Sequence, residues 1–150
     1  MKWIDLPPVW LLGFLGLAWA QGHCLSLGLS FGGGMAAKVL GGLLVAGGVL
    51  LMGLAVFEMA RQRTTVIPHR EASALVQTGI FARTRNPIYL GDALVLSGAI
   101  LYWGAVLSLA LIPVFVWWVT RHFIVPEEHR LGRKFRADFA RYCQKTRRWV

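Results

Sequence analysis

The chain has 150 residues, of which 56% are hydrophobic and 15% charged, which is too apolar for an ordinary soluble domain of that length. Its formal net charge is +9, and fourteen of its sixteen Lys and Arg residues lie at or after Arg61, nine of them in residues 121–148. Basic clusters directly beside apolar runs are the pattern of cytoplasmic membrane flanks, and no nucleic-acid reader motif accompanies them, so nucleic acid is not an expected partner. Cys24 and Cys143 sit far apart with no ligand spacing, which excludes a disulfide scaffold and gives no structural zinc site.

Charged residues are absent from residues 6–37, 39–57 and 93–120, runs of 32, 19 and 28 residues, and about 20 apolar residues cross a bilayer core. The fold class is therefore all-α: a polytopic membrane protein with about four transmembrane helices. The first span is expected over residues 6–25 and the second over 36–59, joined through Gly32-Gly33-Gly34. Lys2, the following apolar stretch and Ala18-Trp19-Ala20 imitate a secretory signal. The single Lys beside Asp5, the early Pro7 and Pro8, and apolar residues beyond Gln21 favour a retained span. Small residues at four-residue spacing, Ala37 with Gly41 and Gly42 with Ala46, would let the second helix approach a neighbour closely, within the chain or in a homo-oligomer.

A basic loop, residues 61–85, precedes the third apolar run. If that run were one helix, this loop and the basic tail would lie on opposite sides of the membrane. A hairpin with its first arm over residues 89–101, turning near Tyr102-Trp103-Gly104, puts both on the cytoplasmic face together with both termini. Pro113 is expected to kink the second arm. Pro126 fits the first turn of a further helix, placing Glu127 and Glu128 where the helix dipole favours negative charge. Beyond it, Leu131, Phe135, Phe139 and Tyr142 form one apolar stripe, with Arg130, Arg133, Lys134, Arg136 and Arg141 on the remaining surface, the pattern of an amphipathic helix at the membrane interface. The organisation read from this pass is an N-terminal helix pair, residues 1–60, and a core, residues 61–150.

Just before the hairpin, Asn86 is a natural N-cap and Pro87 fits the first helical turn, so Arg85, Asn86 and Tyr89 would gather at a helix N-terminus, which favours a carboxylate or phosphate. Glu58 and Asp92, at helix margins, are polar pocket groups or interface residues, and His69 and His129 lie near enough to serve as proton acceptors or to be merely solvated.

Leu75-Val76, Gly79, Phe81, Arg85-Asn86-Pro87, Tyr89 and Gly91, followed across the hairpin by Glu127-Glu128 and then Phe135, Phe139 and Tyr142, resemble the isoprenylcysteine carboxyl methyltransferase and phospholipid methyltransferase group of integral membrane enzymes. The likeness covers about half of the chain. It implies S-adenosylmethionine as cofactor, bound at the cytoplasmic mouth by Arg85, Asn86, Pro87, Tyr89, Gly91, Glu127 and Glu128. Arg85 and the helix N-terminus would hold its carboxylate, and Glu127 or Glu128 its ribose hydroxyls or ammonium group. The eukaryotic isoprenylcysteine enzymes carry His where this chain has Asn86, and bacterial and phospholipid-type relatives carry Asn. Asn cannot titrate, so the acceptor stays open: a lipid or a small membrane-soluble molecule, in an expected bacterial inner membrane. No G-x-G-x-x-G follows a predicted strand. Two other classes fit the same pattern: a nicotinamide-dependent reductase of the sterol-reductase type, and a non-enzymatic lipid-binding scaffold.

Overall fold

The computed structural model describes residues 6–24, 34–63 and 74–150; Gly32, Gly33 and His69 lie outside them. The described residues form helices and turns without strands: α1 (Pro7–Cys24), α2 (Gly34–Arg61), α3 (Pro87–Trp103), α4 (Leu111–Val119) and α5 (Val125–Lys145). Short 3-10 turns occupy Gly79–Ala82 and Val106–Ala110, and a π turn, Thr120–Ile124, joins α4 to α5. Two helices are long and apolar enough to cross a membrane, α2 with 28 residues and the continuous run Val106–Lys145 with 40. α1, with 18 residues, and α3, with 17, are shorter.

α2 and α3 form an antiparallel pair held by backbone-to-backbone approach. A Cβ on Gly41 would stand 2.6 Å from the Gly98 carbonyl oxygen, and one on Gly48 equally close to that of Gly91. Any side chain at these four positions would force the helices apart, so glycine is what lets them touch. The contact face differs from the four-residue stripe expected from sequence: Gly41 recurs with Gly48 seven residues on, while a Cβ on Gly42 would have nothing within 4 Å. Seven residues are close to two full turns and keep one face, whereas the adjacent residue is rotated by about 100°.

α1 closes the other side of α3 and α4 through aromatic pairs, Trp10 with Trp118 at 4.7 Å and Phe14 edge-on to Phe115 at 5.2 Å between ring centroids. The core they enclose contains Leu96, Ile100, Phe115, Val119 and Ile124, all fully buried. At the far end, Gln21 Oε1 accepts from the Ser108 backbone N–H at 3.2 Å and hydroxyl at 3.1 Å.

α3 ends at Trp103, with Gly104 in the left-handed conformation (φ 65°) as its C-cap. Pro113 lies in the first turn of α4, directly after the 3-10 turn Val106–Ala110 that leads into it. Pro126 lies in the first turn of α5, as expected, and a π turn, Thr120–Ile124, leads into that helix. The single amphipathic helix is interrupted. Arg136 takes φ 39° and ψ −109°, splitting α5 and folding its second half back toward the loop before α3.

Candidate functional site

The loop before α3 is fixed from both sides. At the end of α2, Glu58 is buried and its carboxylate accepts from Gln62 Nε2 at 3.1 Å and from the Thr78 hydroxyl. Gly79 (φ 59°) lies so close that a Cβ there would be 2.9 Å from Glu58 Oε2. Val76 and Phe81 pack with Ala55 of α2. Glu58 thus anchors the loop to α2.

The second fixing comes from the C-terminal tail. The Tyr142 hydroxyl donates to the Phe81 carbonyl at 2.6 Å, the Arg85 N–H to the Arg147 carbonyl at 3.0 Å, and Asn86 Nδ2 to the Arg148 carbonyl at 3.0 Å. The Thr84 hydroxyl accepts from the Asn86 N–H at 3.2 Å and reaches the Arg148 carbonyl at 3.3 Å. Burial pushes the Tyr142 phenol pKa well up, so it stays a proton donor to Phe81 through the neutral range.

Asn86 does occupy the N-cap position of α3, but its side chain makes no capping bond. The tail carbonyl takes the amide instead, and Thr84 supplies the local turn. Pro87 is fully buried at the first turn.

Across from this loop, Glu128 joins two arginines. Arg85 Nη2 lies 3.2 Å from its Oε1, and Arg148 grips both oxygens, Nε at 3.1 Å and Nη2 at 2.6 Å. That pairing pushes the Arg148 pKa further up. The adjacent Glu127 accepts through Oε2 from the Tyr89 hydroxyl at 3.4 Å, and Tyr89 stacks on Phe123. Arg85 Nε is buried without a hydrogen-bond partner among the described residues. Glu127 and Glu128 lie in the first turn of α5, as expected, with the π turn Thr120–Ile124 leading directly into it.

Arg85, Asn86, Tyr89, Glu127 and Glu128 therefore converge at one end of the helix bundle. Gly91 points the other way, into α2, where a Cβ would meet Met52 Cγ at 2.6 Å. His129 and Arg83 are exposed. Asp92 is buried, with Oδ2 unpartnered among the described residues. Thr84, Thr146 and Arg148 were not singled out by any motif; Thr-Arg-Arg-Trp at residues 146–149 reads as plain basic tail, and nothing in its spacing announces the return to Arg85.

A sequence comparison decides what this arrangement belongs to: the phospholipid methyltransferase family matches residues 36–138. The chain belongs to that family. It is a membrane methyltransferase in general type, and the matched stretch includes α2, the anchored loop, α3, α4 and both glutamates. The folded-back tail with Tyr142 and Arg148 lies beyond the match. No curated protein and no solved structure matches the chain.

Proposed function

We propose that this phospholipid methyltransferase family member transfers a methyl group from S-adenosylmethionine to a lipid or small membrane-soluble acceptor, and that it spans the membrane four times with both ends cytoplasmic. The observation that carries the reading is the convergence of two cations and two carboxylates, Arg85 and Arg148 with Glu127 and Glu128, beside the start of α3.

The residues suit a zwitterionic amino-acid moiety. Arg85, with a buried Nε that has no partner among the described residues, and the first N–H groups of α3 are donors for a carboxylate. Glu127, held by the Tyr89 hydroxyl, is an acceptor for ribose hydroxyls or an ammonium group. S-adenosylmethionine brings a methyl group already activated by its sulfonium. The protein's task is thus alignment and exclusion of water rather than strong acid–base assistance. Tyr89, Phe123 and the buried start of α3 provide the dry wall on the membrane side, and an acceptor in the bilayer reaches it sideways between helices.

Titration calorimetry of purified protein with S-adenosylmethionine tests this reading. Arg85→Ala is expected to weaken binding by about 1.5–3 kcal/mol, the value of a charge-assisted contact. Equal affinity for wild type and Arg85→Ala removes Arg85 from the site, and an absence of binding to the wild type removes the reading.

A further inference from the structure

Of the two arginines on Glu128, only one is settled. The Arg85 side chain is 13% exposed and sits behind the carboxylate, whereas the Arg148 side chain is 40% exposed on its outer side. A partly exposed ion pair is weak and screened by salt. The backbone around Arg148 is nevertheless firmly held. Its carbonyl accepts from Asn86 and Thr84, the preceding carbonyl accepts from Arg85, Thr146 is buried, and Trp149 packs against the main core. Only the guanidinium is free to leave without unpicking the tail.

With Arg148 in place, both Glu128 oxygens already face a cation. Three of the carboxylate's about four acceptor positions are thus taken by arginines, and a ligand ammonium that arrives from solvent competes with Arg148, the more exposed of the two. We propose that the Arg148 guanidinium is an internal stand-in for the ligand's ammonium group, occupying Glu128 until the methyl donor displaces it, so that the folded-back tail sets the affinity of the site. This rests on the methyl-donor reading above. It makes Glu128 the ammonium acceptor and leaves Glu127 for the ribose hydroxyls.

A competing internal cation lowers apparent affinity by the fraction of molecules in which it is bound. Calorimetry with S-adenosylhomocysteine, the donor without its transferable methyl, and with its deaminated analogue separates competition from simple architecture. Arg148→Gln, which keeps bulk but no charge, is expected to bind S-adenosylhomocysteine tighter than wild type by about fivefold or more, while Arg148→Lys stays near wild type. The deaminated analogue lacks the ammonium and is expected to bind wild type and Arg148→Gln alike. A thermal scan of each apo protein checks folding, and Arg148→Met serves as a second charge-removing variant. Unchanged or weaker binding of S-adenosylhomocysteine by both charge-free variants overturns the proposal, as does equal tightening for the deaminated analogue. If the wild type binds neither compound, the methyl-donor reading itself has failed; wild-type binding without tightening condemns only the role of Arg148.

Discussion

The glycine contacts between α2 and α3 predict effects of opposite sign for the same chemical change at neighbouring positions. A Cβ on Gly98 would stand 2.5 Å from the Gly41 carbonyl oxygen, 2.8 Å from the Val45 nitrogen and 2.9 Å from Val45 Cγ2. Two of these neighbours are backbone, so relief to the ordinary contact distance of about 3.4 Å requires moving one helix against the other by nearly an ångström. Overpacking of that kind costs about 1–3 kcal/mol. At Gly47, on the outer face of α2, a Cβ meets nothing within 4 Å, and alanine in a helix interior gains about 0.5–1 kcal/mol over glycine. Gly98→Ala is therefore expected to lower stability and Gly47→Ala to raise it, read by reversible unfolding in mixed micelles. Gly91→Ala, where the clash is with the Gly48 carbonyl at 2.7 Å, is expected to shift α3 nearer the Arg85 cluster and so weaken methyl-donor binding as well. Shifts of the same sign for Gly98→Ala and Gly47→Ala would refute the packing argument.

Three further predictions concern polar groups. Tyr142→Phe removes the bond to the Phe81 carbonyl and is expected to cost about 1–2 kcal/mol. Because burial raises the Tyr142 pKa in the folded state, its contribution is full below about pH 10 and is lost as pH rises toward the folded value, so the wild type should weaken in alkali more steeply than Tyr142→Phe; parallel pH profiles would contradict this. Asp92→Asn is expected to raise stability by about 1 kcal/mol, since Oδ2 is buried without a partner among the described residues; a loss in thermal unfolding would mean that the carboxylate has a partner. Glu128→Gln, which breaks two ion pairs, should lower stability by about 1–3 kcal/mol, and more than Arg148→Gln, which removes only the partly exposed one of the two. The reverse order in chemical unfolding would displace Glu128 from the centre of the network.

Much of this architecture is legible in the residue order, because apolar runs and basic flanks report a global solvent, the bilayer. The end of α3 at Gly104 agrees with the turn signal of Tyr102-Trp103-Gly104, and Arg85 meets Glu128 although some forty residues separate them. The misread positions are local. The π turn Thr120–Ile124 before Pro126 has no sequence signal of its own, because an i→i+5 bond is set by the backbone around it. The stripe from Leu131 to Tyr142 keeps its helical period across Arg136, so periodicity cannot reveal that the chain folds back there. Asn86 carries the signal of a cap, yet a carbonyl some sixty residues away claims its side chain. Long-range bonds to backbone leave no trace in composition, which is why Thr84 and Arg148 could not be found in advance.

The central claim, methyl transfer at the Arg85–Glu128 end of the bundle, is tested most directly by incubating purified protein with methyl-labelled S-adenosylmethionine and a total lipid extract. Label is expected in a lipid-soluble product with wild type, and its loss with Arg85→Ala, a variant expected to keep its fold. No labelled product with folded wild-type protein, or equal labelling by wild type and Arg85→Ala, would contradict it.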